Sequence, residues 1–513
     1  MSRINTNVES LIAQRVLGGN NLALSQSLER LSTGLKINRG GDDPAGLIAS
    51  ENLRAEKAGL TAAISNAERA EQVVNIAEGG LQEISTLLTE LEGLLTTTAN
   101  SAGLSTEEKE ANQLQIDSIL QTINRLAGAT SFQGTKLLNG NLGYVTSNVS
   151  AEIESFKVNG AKLEQGQTLD VDVVVTQSAQ QAAFFLSTGG ALDLSASDAQ
   201  FVLEVGGSKG SRELSFASGT AVADIVGAIN SFKDVTGVSA AASGTGFRVD
   251  SVEFGSDEFV TVKIIDDGSL NTAVAGAGIV GVAASDANTA SAATNTLFSA
   301  VAAENGLTDD GQDVGAVING IVAVAKGAKA SINTDFLSVE LDLATGGAGP
   351  NANNLGALQA LTITGGGADF QLASNVDIAG KVSLGLDNVS ISGLGRIKDG
   401  SNAFTLADLA AGNNLNVEDG DLTMAQKVVR ESIKEISGLR GRLGAFQKNT
   451  VGATIRSLGV SFENTTAAES AIRDADFAAE TAALTRSQIL VNSSTNVLSI
   501  ANSQPQNVLQ LLG

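Results

Sequence analysis

Residues 42–95 read DDPAGLIASENLRAEKAGLTAAISNAERAEQVVNIAEGGLQEISTLLTELEGLL, and this stretch decides the architecture. Asp42, Asp43 and Pro44 form a helix start: a carboxylate cap, then proline at the first helical position, where its missing N–H is no loss. Beyond it Leu60, Ile64, Ala67, Val74, Leu81, Ile84, Leu88, Leu91 and Leu95 recur at helical spacing. Roughly 50 residues at the helical rise make a rod of about 75–80 Å, far longer than a compact domain is wide. Gly79-Gly80 falls inside the run and costs about 1 kcal/mol per glycine relative to alanine, which predicts a kink or a local weakening.

Toward the N-terminus, Ile4, Val8 and Leu11, then Leu24, Leu28, Leu31 and Leu35, trace a second helical stripe, which Gly34, Gly40 and Gly41 break. Downstream, Ala99 to Gly103 reads as a turn, and Ser105 with Glu108 fits a capping box. The helix it opens carries Ile116, Ile119, Ile123 and Leu126 on one face, and Leu137-Leu138-Asn139-Gly140 ends the helical part. Helical periodicity returns near Leu422 and runs through Val429, Ile433, Ile436, Leu443 and Phe446 past Leu458. A last segment from about Ala467 ends in Val508-Leu509-Gln510-Leu511-Leu512.

The middle is a different polymer, rich in glycine, alanine, serine and aspartate. Leu169 to Val173, Phe259 to Ile264 and Val382 to Leu386 alternate with the period of a strand, and Ala221 to Phe232 is a helical interruption. The alanine- and glycine-rich residues 270–330 are hard to assign, loosely packed helix being the one reading offered. The fold expected is multidomain α+β: an elongated α-helical coiled-coil framework built from both termini, with an inserted β-rich outer region.

Composition narrows the function. The 513 residues include no His and no Cys, which removes the commonest general base, the commonest metal ligand and the thiol nucleophile. No enzyme activity, metal site or cofactor is expected. The net charge of −24 falls mostly between residues 141 and 400, and a chain so acidic without basic stripes is a poor nucleic-acid binder. The first ten residues have no apolar core of a secretory signal, and no run is long and apolar enough to span a membrane. Asp257-Glu258, Asp266-Asp267 and Asp309-Asp310 lack calcium-loop spacing and read as solvated turns. Gly365-Gly366-Gly367 lacks the Lys-Ser or Lys-Thr of a phosphate cradle and also reads as a turn.

Amphipathic helices of a few dozen residues are marginal unless their apolar face is packed. The two ends lean opposite ways in charge, Arg3, Arg15, Arg30, Lys36 and Arg39 against Glu469, Asp474, Asp476 and Glu480. The expectation is that the termini are largely disordered in the monomer and fold on neighbouring subunits, a head-to-tail contact that does not close giving a helical filament. An intramolecular coiled coil with frayed ends is the alternative.

Ile4-Asn5-Thr6-Asn7, Glu29 to Asn38 and Asp42 to Leu47 resemble the amino-terminal signature of bacterial flagellin. Ser487-Gln488-Ile489-Leu490, Ser494 to Leu498 and Pro505 to Leu512 resemble its carboxy-terminal signature. The resemblance implies five segments: 1–43, an N-terminal filament-core helix; 44–145, an inner helical shell; 146–415, β-rich outer domains, of which about 200–265 is similar to the insert repeat of flagellins and hook proteins; 416–463, the C-terminal part of the inner shell; and 464–513, a C-terminal filament-core helix. It implies a secreted subunit of the extracellular flagellar filament, with subunit contacts through Ile4, Val8, Leu11, Leu28, Leu31, Leu35, Ile489, Leu490, Val497, Leu498, Val508, Leu509, Leu511 and Leu512. The partners it implies are copies of the chain, an export chaperone, the type III export apparatus, and cap and hook-junction proteins. Many flagellins are sensed by a Toll-like receptor through the helix corresponding to residues 81–97, here around Leu88, Glu90 and Leu94. Glu90 stands where arginine is expected, so weak recognition follows. A hook–filament junction protein, or an adhesin or binding module carried by the insert, are the alternatives.

Overall fold

The computed structural model describes residues 6–100, 103–164, 166–194, 199–270, 277–283, 286–346, 353–399 and 402–512, with backbone alone for 283, 286–294, 399 and 505–512. Its helices are α1 Val8–Thr33, α2 Pro44–Thr98, α3 Thr106–Ala129, α4 Val222–Ser231, α5 Lys233–Thr236, α6 Val301–Asn305, α7 Leu422–Ala445, α8 Gly452–Arg473 and α9 Phe477–Leu512. The chain divides into two compact units. The first holds Met1–Asn75, Phe370–Lys381 and Gly441–Gly513; the second holds Ile76–Asp369 and Val382–Arg440.

Local chemistry sets the helix ends. Asn7 caps α1 by accepting the Ser10 N–H, and Gly34 closes it at φ 72°, a left-handed conformation that favours glycine. Pro44 opens α2, and Asp43 accepts the Gly46 N–H at 2.9 Å. The Ser105/Glu108 capping box opens α3 as read from sequence. Helix α2 runs without interruption through Gly79 and Gly80. At Gly80 the missing side chain has a reason: a Cβ there would lie 2.7 Å from Thr130 Oγ1 and 3.0 Å from Leu138.

In the first unit, α8 packs along the first half of α2. Glu469 receives Lys57 at 3.1 Å and Arg54 at 3.8 Å, and Arg473 pairs with Glu51 at 3.2 Å. Leu60, Ala63, Ala67, Ala70 and Val74 are buried. The hairpin around Phe370–Lys381 belongs here too, with the Phe370 ring 6.1 Å from that of Phe446.

One feature escapes the periodicity. A π-helical turn, Phe446–Val451, joins α7 to α8. Inward positions Ile436, Leu439, Leu443 and Phe446 follow steps of three and four, and the extra residue then moves the stripe to Val451, Ile455, Leu458 and Phe462. Val460, which the earlier phase would bury, is left 59% exposed.

In the second unit, Leu81, Ile84, Leu88, Leu91 and Leu95 of α2, Ile116, Ile119 and Ile123 of α3, and Val428, Val429 and Ile436 of α7 form a buried helical core. Arg430–Glu92 and Arg440–Glu78, both 2.8 Å, tie α7 to α2. Gln113, itself buried, donates to Leu409 O and accepts from Val417 N–H, holding residues 409–417 on α3.

The middle forms two β modules, each with its own core. One centres on Val171, Val173, Ile318, Val339, Leu341 and Leu361. Its sheets run Ile321–Val322, Gly315–Ile318, Leu169–Gln177, Gly356–Gly366, Tyr144–Ser147, and Val324–Lys326, Lys329–Asn333, Leu337–Leu343, Ile153–Ala161. The other centres on Phe201, Leu203, Phe247, Val262 and Ile279, with α4 packed on it through Ile225 and Ile229. Residues 270–330 correct the expectation of helix. Their described part is strand from Gly278–Ala283 to Lys329–Asn333, with only the short α6 helical. Alanine is a strong helix former, but the glycines that punctuate this stretch cut it into hairpins: Gly306, Gly320 and Gly327 all have positive φ. Asp309 sits within the strand Leu307–Asp310 rather than in a turn, and accepts the Ala183 N–H at 2.9 Å.

Candidate assembly interface

Helices α1 and α9 pair antiparallel in the first unit. Asn7 donates to Ala501 O at 2.7 Å, Ser10 to Asn502 at 2.6 Å, Asn20 to Ser494 Oγ at 2.6 Å, and Arg30 to Glu480 at 3.1 Å. The inward positions on α1 are Ser10, Ala13, Leu17, Asn20, Leu24, Ser27 and Leu31; on α9 they are Glu480, Leu484, Ser487, Val491, Ser494, Leu498 and Ala501. Both series step by three and four, the heptad seam of a coiled coil. Small and polar residues dominate it, so the helices approach closely and hydrogen bonds fix their register. The Arg30–Glu480 pair is largely shielded, with side chains 30% and 14% exposed.

Large apolar residues lie on the outside of this pair. Val8, Leu11, Ile12, Val16, Leu22 and Leu28 of α1 and Phe477, Ile489, Leu490, Val497 and Ile500 of α9 are all between 44% and 64% exposed. The seam mixes Leu17, Leu24, Leu31, Leu484, Val491 and Leu498 with small and polar residues, while further large apolar residues face out. Exposed apolar residues in such number mark an interaction surface.

The sequence-derived contact residues divide accordingly. Val8, Leu11, Leu28, Ile489, Leu490 and Val497 stand on the outer surface; Leu31 and Leu498 are half-buried in the seam. Leu35 is half-buried beyond the end of α1. Ile4 and the side chains of Val508, Leu509, Leu511 and Leu512 lie outside the described residues. Sequence reading missed Ile12, Val16, Leu22, Phe477 and Ile500. It followed one apolar stripe, whereas these residues are spread round the exposed circumference outside a seam that mixes leucine and valine with serine, alanine and asparagine.

The connections at the base of the pair are stitched together. Lys36 N–H donates to Arg473 O at 2.7 Å and Ala475 N–H to Gly34 O at 2.9 Å, so the α1–α2 link and the α8–α9 link form a short antiparallel bridge at Leu35 and Asp474. Asp42 accepts the N–H groups of Arg39 and Asn38 at 2.9 and 3.0 Å, and these bonds hold its carboxyl below the usual aspartate value. Ile37 is buried beneath Gly46.

In the second unit Glu90 is exposed and accepts from Gln115 at 3.3 Å, Leu94 is half-buried, and Leu88 is fully buried and offers no surface. Among the described residues no helix is long and apolar enough to cross a membrane.

Family comparison agrees with this organisation. The profile described as "Bacterial flagellin N-terminal helical region" matches residues 4–142, "Bacterial flagellin C-terminal helical region" matches 426–512, and "Flagellin hook IN motif" matches 200–250. The chain is 30% identical over 528 residues to a flagellin of Salmonella rubislaw and 29% over 540 to one of Salmonella choleraesuis (strain SC-B67). It is 26% identical over 532 residues to flagellin A of Helicobacter pylori (strain ATCC 700392 / 26695). In each case 99% of both chains is covered.

Proposed function

The chain belongs to the bacterial flagellin family, and from that premise we propose that the exposed apolar surface of α1 and α9 is the contact through which its copies polymerise. The protein is a structural subunit of the flagellar filament and not an enzyme. The observation that carries the interface is the outer surface of the terminal pair: with the seam already closed, Leu11, Leu22, Ile489 and Val497 remain turned outward. These side chains are about half exposed, so burying the remainder is worth about 1–1.5 kcal/mol each, and in a filament other copies of the chain bury them. Half-buried Leu31, Leu35 and Leu498 border that contact.

The subunit is secreted through the flagellar type III export apparatus and joins an extracellular filament used for swimming, beneath a cap protein and above hook-junction proteins. An export chaperone covers the apolar residues of α9 until then. Toll-like receptor contact is weak because Glu90 presents a carboxylate where arginine serves as an anchor. A reporter-cell response to purified monomer at full strength would refute that clause, and Glu90→Arg should raise the response.

Electron microscopy of the seeded protein tests the main reading. Long tubular filaments are expected from the wild-type chain and none from Leu11→Asp/Val497→Asp, which stays a folded monomer. If the double variant assembles normally, the interface lies elsewhere.

A further inference from the structure

The β module centred on Phe201 and Phe247 carries its charge unevenly. Between Ala182 and Asp310, sixteen Asp and Glu stand against five Lys and Arg. Two of the five cations are answered within the module: Arg248 faces Asp250 at 3.6 Å, and Lys263 lies across from Glu204 in the paired strands. The other three, Lys209, Arg212 and Lys233, are exposed and form no ion pair among the described residues.

These three gather at the short helix α5. Lys233 opens it, and the turn 207–210 lies against it, Lys209 N–H donating to Thr236 O at 3.4 Å. The Arg212 guanidinium stands 5.1 Å from the centre of the Phe232 ring, immediately before the helix. Val235, on the same turn, is 55% exposed. Of the carboxylates nearby, Asp234 pairs with Lys427 of α7 at 3.8 Å, and Glu258 accepts the Ser208 hydroxyl at 2.6 Å. Exposed Glu253, beside the Val252 N–H that donates to Gly237 O, is left to oppose three cations.

The far end of the same strands is the complement. The eight residues of Gln200–Gly207 span about 20–25 Å, away from the 207–210 turn. At that end Asp266 pairs with Val202, and Asp267 precedes Gly268, where a Cβ would lie 2.8 Å from Gln200 O. Asp193 follows Leu192, which is bonded to Gly219 and Thr220, and Asp224 sits in the first turn of α4 just beyond. None of these four carboxylates has a cation beside it among the described residues, and Ile265 next to them is 45% exposed. One module therefore presents a positive face around an exposed valine and a negative face around an exposed isoleucine.

We infer that the α5 face of this module docks on the Asp266 end of the same module in a second copy, Val235 meeting Ile265 and the three cations meeting the aspartates. A contact between unlike ends is heterologous and does not close, so it repeats along a row of copies that face the same way. Exposed ion pairs are weak singly, so the contact forms where copies are already held side by side and effective concentration replaces affinity. In that respect it rests on the filament reading.

The chain has no Cys, so introduced pairs report cleanly. Filaments of Val235→Cys/Ile265→Cys, verified by electron microscopy and oxidised with a copper catalyst, are expected to give a ladder of covalent oligomers. Within one copy the two positions lie at opposite ends of the module and cannot join. Either single variant should give no ladder, because each contact needs one of each residue. Adding Lys209→Glu and Lys233→Glu should cut the ladder several-fold without dissolving the filaments, and Asp266→Lys with Asp267→Lys should restore it in that background. Intact filaments without a ladder, the result if the cations serve some other anionic partner, overturn the contact and leave the polymer reading standing. So does a ladder indifferent to charge reversal. If no filaments form, the polymer reading falls, and oxidation of concentrated monomer decides the contact: dimers confined to the double-cysteine variant uphold it, and their absence overturns it.

Discussion

The side-chain amide of Asn20 donates to the hydroxyl of Ser494 at 2.6 Å, and that hydroxyl in turn donates to Leu490 O at 2.7 Å. The relay sits mid-seam between α1 and α9, where a coiled coil ordinarily places leucine. A buried polar contact there fixes register at the expense of stability.

Asn20→Ala should therefore loosen the terminal pair without unfolding the rest. The loss is that of one hydrogen bond, about 1 kcal/mol, or about a fivefold drop in amide-exchange protection over α1 and α9. Exchange measured on the monomer checks it, and unchanged protection would mean the seam is not formed in solution.

Leu22 and Leu88 should behave as opposites. Leu88→Ala opens a cavity in the helical core of the second unit and should cost about 2–5 kcal/mol in urea unfolding of the monomer. Leu22→Ala, at a position 64% exposed, should leave monomer unfolding within about 0.5 kcal/mol and lower the temperature at which filaments dissociate.

Two glycines separate close packing from open helix. A Cβ at Gly46 would meet Ile37 Cδ1 at 2.7 Å and Asp43 Oδ2 at 2.6 Å, so Gly46→Ala should destabilise the α1–α2 link by about 1–3 kcal/mol. Gly18 has open space around it, and Gly18→Ala should strengthen α1 by about 1 kcal/mol. Exchange in residues 34–50 and in α1 reports the two effects separately.

Glu435 gives a pH-dependent prediction. Burial pushes its carboxyl above the usual glutamate value of 4.5, even though it accepts the Gly395 N–H at 2.9 Å. A carboxyl whose pKa is raised on folding binds its proton more tightly in the native state, so its ionisation costs stability once pH exceeds the unfolded value. Glu435→Gln should stabilise the protein at pH 7, and the gain should vanish below about pH 4, where both states are protonated. Urea unfolding of both proteins at the two pH values decides it; an equal gain at both would remove titration as the cause.

Much of this was legible in the residues. Pro44 after two aspartates, and Ser105 before Glu108, announce helix starts because capping is local chemistry. Leu81 to Leu95 announce a buried face because large side chains recur with the helical period. The α1–α9 seam was legible only in part: Leu24 and Leu31 of the apolar stripe lie in it, but Val8, Leu11 and Leu28 of the same stripe lie outside it, and Ser10, Ala13, Asn20 and Ser27, which complete it, carry no hydropathy signal. The π-turn at Phe446–Val451 has no composition of its own and shows only as a slip of phase, with Val460 exposed where burial was due. Residues 270–330 resist assignment because alanine favours helix while the glycines among them enforce turns.

The bridge that stitches Gly34–Lys36 to Arg473–Ala475 has a mechanical consequence. The seam holds α1 to α9 along their length, and the bridge adds a tie at the base, where the chain leaves each helix. The two links cannot slide past one another there without breaking both backbone hydrogen bonds, so a pull on either helix is shared between the connections to α2 and α8.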